Sequence, residues 1–105
     1  MQLIGCDVFV YAPGGEMPDL PREAGPLRLE LVSNRGTKLW PTTAARLDYF
    51  AEEWRFRFTS EGDKPVQHEA VNALLKTLTD AGRTWTRVQV LWAQDDGVRA
   101  FSSPY

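Results

Sequence analysis

Two side chains in this sequence suit nucleophile-and-base chemistry: Cys6, the one cysteine, and His68, the one histidine. A thiol attacks as thiolate, so it needs a base or a positive environment beside it. Cys6 sits inside the apolar run Leu3-Ile4-Gly5-Cys6-Asp7-Val8-Phe9-Val10, and His68 stands beside Glu69 at the start of a helical stripe. A small thiol in such a run is ordinarily packed in a core, so both residues read as structural and no catalytic residue is predicted. The neighbouring carboxylates Glu52-Glu53 and Asp95-Asp96 point apart on extended backbone and lack clustered His or Cys, so no metal site is predicted.

Anions are the next chemistry to consider. Gly14-Gly15 and Gly36 fit neither of the glycine-rich phosphate motifs, GxxxxGK[ST] and GxGxxG, and read as turns. The segment Ser33-Asn34-Arg35-Gly36-Thr37-Lys38 combines a turn with two cations. Together with Arg55 and Arg57 it makes Asn34, Arg35, Lys38, Arg55 and Arg57 the candidate anion-binding set. The alternation Trp54-Arg55-Phe56-Arg57-Phe58 also has the look of an RNA-binding sheet, in which aromatics stack bases and arginines hold phosphates. Aromatics in a chain of 105 residues more often make core. Trp40, Trp54, Trp85 and Trp92 form the candidate interface set, because a small domain struggles to enclose so much indole.

The elements that must position these residues follow from periodicity. Residues 3–12 are β-branched and aromatic and end at Pro13-Gly14-Gly15, which predicts a first strand and then a turn. Residues 13–26 hold four prolines and three glycines, which predicts an irregular connection. Leu27, Leu29 and Leu31 alternate with polar neighbours, which predicts a half-buried strand with all three leucines on its inner face. Thr37 to Trp40 is expected to return as the short arm of a hairpin after Gly36. Pro41-Thr42-Thr43 with Leu47, Phe50 and Ala51 predicts a second short helix over about 43–52.

Trp54, Phe56 and Phe58 share one side of a strictly alternating strand. Pro65 then opens a run in which Val66, Ala70, Val71, Leu74, Leu75 and Leu78 make a single stripe, closed by Gly82. This predicts a long amphipathic helix over about 65–81. Residues 85–93 and 98–102, joined by Asp95-Asp96-Gly97, predict a final hairpin. The expected fold is α+β: a largely antiparallel sheet with the helix packed on one face, in a single domain spanning 1–105.

Composition is ordinary for a globular chain, with 43% hydrophobic and 25% charged residues. The net charge of −2 and the isoelectric point near 5.3 give no general attraction to nucleic acid or anionic lipid, so neither is an expected partner. One cysteine precludes an intrachain disulfide, and the acid within the first apolar run argues against a leader or a span. A cytoplasmic location is expected.

Three segments carry a family resemblance. Gly5-Cys6-Asp7-Val8-Phe9-Val10, then Leu31-Val32-Ser33-Asn34-Arg35-Gly36-Thr37-Lys38-Leu39-Trp40-Pro41, then Trp54-Arg55-Phe56-Arg57-Phe58 resemble, in order and spacing, the C-terminal extension of Thermus-type bacterial NADP-dependent isocitrate dehydrogenases. Trp85, Leu91 and Asp96-Gly97 fall in the expected order near the end. The resemblance implies an accessory module without cofactor, since the substrate, metal and NADP residues of those enzymes lie in an upstream domain. It further implies assembly, as a homodimer or with an isocitrate-dehydrogenase-like catalytic subunit. The residues alone leave a small-anion or metabolite sensor as the alternative, and a single-stranded RNA module as a third reading.

Overall fold

The computed structural model describes residues 1–12, 16–34 and 52–102, apart from the side chains of Asn34 and Glu52. Its centre is β1 (Gln2–Ala12). Antiparallel neighbours flank it on both sides: β4 (Glu52–Ser60) and β5 (Trp85–Ala93). The sheet extends outward through β3 (Leu27–Asn34) to the two-residue β2 (Glu23–Ala24) on one side, and to β6 (Arg99–Ser102) on the other. A strand buried on both faces needs a nearly continuous apolar run, and residues 3–10 supply one.

Alternation divides the two faces. Cys6, Val8 and Val10 of β1 point with Phe56 and Phe58 of β4, and Val88 and Val90 of β5, into a core completed by α1 (His68–Asp80). The helix contributes Val71, Leu74, Leu75 and Leu78, each worth roughly 1.5–3 kcal/mol when fully buried. At thirteen residues it is of ordinary length and shorter than the expected 65–81. The reason lies upstream, where the Val66 amide donates to the Leu3 carbonyl at 2.8 Å, tying this stretch to β1 in place of a helical turn. Val66 and Ala70 still pack on the core. The predicted stop holds: Gly82 has φ +76°, and the Arg83 amide donates to the Leu78 carbonyl at 2.9 Å, a Schellman closure.

The expected helix over 43–52 lies outside the described residues except for Glu52, which opens β4. The only other helical turn among the described residues is the 3-10 segment Glu61–Asp63. The hairpin arm at 37–40 also lies outside them. The leucine alternation is corrected at one point. Leu29 pairs with Phe58 but Leu31 pairs with Arg57, so Glu30 is an extra residue, a β-bulge. Leu27 is fully buried, whereas Leu31 is turned to the opposite face and is 38% exposed. Val32, opposite Phe56, takes the inward position. Gly5 is also dictated by geometry, since a Cβ there would lie 2.0 Å from the Phe58 carbonyl oxygen.

Candidate functional site

The face away from α1 carries the charges. Asp7 pairs with Arg57 in the β1–β4 register, and Leu31 is Arg57's neighbour on β3. Asp7 is fully buried, and a buried carboxylate needs a cation and hydrogen bonds. Arg57 supplies both, donating from Nε to Oδ1 at 2.8 Å and from Nη2 to Oδ2 at 3.2 Å. The side chain of Arg57 is 16% exposed, and its guanidinium lies 4.8 Å from the centre of the Phe101 ring. Arg55, one step along the face, has Nε 3.8 Å from Asp7 Oδ2 and donates to Ser33 Oγ at 3.1 Å. Arg87 lies 4.1 Å from the centre of the Phe9 ring and 4.0 Å from Glu53.

A second ionic group sits at the other end of this face. Arg99 of β6 donates to both oxygens of Glu30, from Nη1 at 2.7 Å and Nη2 at 2.8 Å. It also donates to both oxygens of Asp63, from Nε at 3.1 Å and Nη2 at 2.8 Å. Thr59 Oγ1 donates to Glu30 at 3.3 Å. The Arg99 bonds hold the Glu30 carboxyl below its usual range, against the opposing effect of partial burial, and raise Arg99 further. In hydrogen-bonding order β3 and β6 are four steps apart, about 19 Å in a flat sheet. Their contact shows that the sheet curls toward this face.

The predicted site residues divide accordingly. Arg55 and Arg57 do meet an anion, but it is the chain's own Asp7. Arg35, Lys38, Trp40 and the Asn34 side chain lie outside the described residues. Phe56 and Phe58, at 1% and 0% exposure, offer no stacking surface, which removes the ground for the RNA-sheet reading. Trp54 and Trp85 both pair with Val10, one from each side, and so share a transverse row of the sheet. Both are half-buried against the core. Trp85 Nε1 donates to Thr79 Oγ1 at 3.4 Å, whereas the buried Trp54 Nε1 has no hydrogen-bond partner among the described residues. Trp92 lies at the other end, donating to Ser102 Oγ at 2.6 Å and meeting the His68 ring edge-on at 5.9 Å.

The environment of Cys6 is the reverse of an activating one. Burial, and then the neighbouring Asp7 charge, pushes its thiol up to about 12. Among the described residues no three His, Cys, Asp or Glu side chains gather as a metal site. No described helix is long and apolar enough to cross a membrane.

A family model described as bacterial isocitrate dehydrogenase, C-terminal domain, matches residues 1–104. The chain belongs to this family. The match spans all the segments on which the resemblance rested. The isocitrate dehydrogenase (NADP) of Rickettsia felis is 27% identical over 106 residues, covering 96% of this chain and 22% of the relative. That of Thermus thermophilus is 29% identical over 107 residues, covering 96% of this chain and 21% of the relative. The chain thus spans about a fifth of the length of the curated relatives it matches. No solved structure matches.

Against the isocitrate dehydrogenase C-terminal family, Asp7 and Arg57 fall in the two quoted segments Gly5-to-Val10 and Trp54-to-Phe58, and the structure joins those segments through this ion pair. The sequence reading missed Asp7, Glu30, Asp63 and Arg99 as a set. A signal existed for Asp7 alone: an acid in the middle of an apolar strand requires a cation from another strand.

Proposed function

We propose that this chain is a non-catalytic accessory domain that assembles with an isocitrate-dehydrogenase-like catalytic subunit or with a second copy of itself, in the cytoplasm. The observation that carries this reading is coverage: the family match runs across residues 1–104, yet these correspond to about a fifth of each relative. The chemistry of the described residues agrees, because the one thiol is buried and raised to about 12 and the best-placed arginines are bound to internal carboxylates. The proposed contact surface includes Trp54 and Trp85 in their shared row, with Trp40 and Trp92 as further candidates; half-buried indoles are effective anchors.

The test is solution mass by light scattering over a range of concentrations. It is run on the chain alone and on the chain mixed with the catalytic portion of the Rickettsia felis relative lacking its matching C-terminal fifth. A dimer, or a complex with that portion, supports the reading; a monomer that ignores it refutes the reading. The alternative, a small-anion or metabolite sensor at Asn34, Arg35, Lys38, Arg55 and Arg57, draws support from Arg55, whose side chain is 31% exposed beside Ser33. A ligand that binds the folded state raises its melting temperature. An unchanged melting temperature in phosphate and in isocitrate would eliminate the sensor.

A further inference from the structure

We infer that β6 is a strap that opens as a unit of its own, latched across the curled face of the sheet by Arg99. Among the described residues, β6 is the outermost strand on its side of the sheet and pairs on one side only, with residues 90–93 of β5 over four positions. Four ladder positions on an edge make a weak attachment, since a short edge strand exposes its backbone bonds to water and is drawn from the least stable part of a fold. The strap's own apolar anchor is modest, because Phe101 is 43% exposed.

Side chains supply what the ladder lacks. The Arg99 guanidinium makes four hydrogen bonds to two carboxylates, Glu30 on β3 and Asp63 in the turn after β4. Neither carboxylate belongs to β5, the strand with which β6 pairs. Arg99 therefore fastens β6 to the far half of the sheet, across a span the ladder does not bridge. Bidentate guanidinium–carboxylate pairs are the strongest and most directional of ionic contacts. These are about two-thirds buried, so solvent screening weakens them only in part. Phe101 then lies over Arg57, so that the closed strap covers the Asp7–Arg57 pair. When it lifts, that pair meets water and the outer edge of β5 at residues 90–93 is uncovered.

Hydrogen exchange on the whole chain tests this, comparing peptides over residues 90–102 with peptides over residues 4–10. In the wild type, residues 99–102 should exchange faster than the β1 peptide, through an opening that leaves β1 protected. Arg99→Gln should accelerate exchange at residues 99–102 by about tenfold or more, a loss that several charge-assisted bonds can account for, with the β1 peptide unchanged. Glu30→Gln and Asp63→Asn should each give part of that acceleration. Raising sodium chloride toward about 1 M, where the Debye length is about 3 Å, should accelerate β6 in the wild type but not in Arg99→Gln. A β6 that exchanges together with β1 in the wild type overturns the inference. So does an Arg99→Gln chain in which β1 protection collapses along with that of β6, or in which neither changes.

Discussion

Replacing Asp7 with Asn keeps the side chain's volume and one carbonyl acceptor but removes its charge, and so leaves the Arg57 cation facing a neutral amide. The wild-type carboxylate is fully buried and doubly bonded to Arg57. Breaking a buried pair by removing one partner costs about 3–5 kcal/mol, because the other charge is left without compensation. Arg57 is 16% exposed and can recover some hydration by turning outward past Phe101, which lowers the expectation to about 2–4 kcal/mol. For a domain of this size that corresponds to a fall in melting temperature of roughly 10–25 °C.

Urea unfolding followed by circular dichroism measures the change directly, with an unaltered slope as the sign that both end states are the same. A loss below about 0.5 kcal/mol would refute the reasoning, since it is the value expected of an exposed pair. The double replacement Asp7→Leu with Arg57→Met separates the ion pair from its packing. Removing both charges together should cost less than the sum of the single changes by at least about 1 kcal/mol, whereas strict additivity would show that the two side chains are not coupled.

Three further outcomes are expected. Gly5→Ala should be among the most damaging substitutions in the chain, because its methyl group would lie 2.0 Å from the Phe58 carbonyl oxygen and the central β1–β4 ladder must spread; a calorimetric loss under about 1 kcal/mol would contradict that geometry. Cys6, pushed up to about 12 by burial, should resist iodoacetamide at pH 8 in the folded chain and react at an ordinary rate in denaturant, as followed by mass spectrometry. Glu30 is lowered in the folded state, mainly by its bond from Arg99. Its contribution should therefore be complete above the unfolded Glu range near 4.3 and disappear as pH falls through the lower folded value. The stability gap between wild type and Glu30→Gln should accordingly be flat from pH 6 to 8 and close in acid, and a gap that persists unchanged at pH 3 would exclude the charge as its cause.

Periodicity read the locally determined parts of this fold well. The alternation of Trp54, Phe56 and Phe58 is the inner face of β4, residues 85–93 are β5 to the residue, and Gly82 ends the helix with the left-handed backbone that glycine tolerates. The misreadings arise where a distant contact overrides a local pattern. Pro65 looks like a helix start, but the Val66 amide is held by Leu3 from the other end of the chain. Leu27, Leu29 and Leu31 look like one face, but a bulge at Glu30 turns the third outward. Glu30 itself keeps the outward position that the alternation gives it, on the face that Arg99 reaches. No local window contains that relation, because Glu30 and Arg99 meet only after three intervening strands have formed and curled.

Asp7 is different, because its need was visible from the start. A carboxylate between Cys6 and Val8, in a strand buried on both sides, must be matched by a cation on an adjacent strand, since leaving it unmatched costs several kcal/mol. The strand over residues 54–59 is the one that carries two arginines in strict alternation, opposite a face of aromatics too large to be exposed. If the aromatics face the helix, the arginines face away from it, on the same side as an odd-numbered residue of β1. Charge matching then favours β4, with its two arginines, as a neighbour of β1 and a register that sets Asp7 beside Arg55 or Arg57, and the structure chooses Arg57. The same two arginines that suggested a site for an external anion are, on this argument, the means by which the sequence specifies which strands are neighbours.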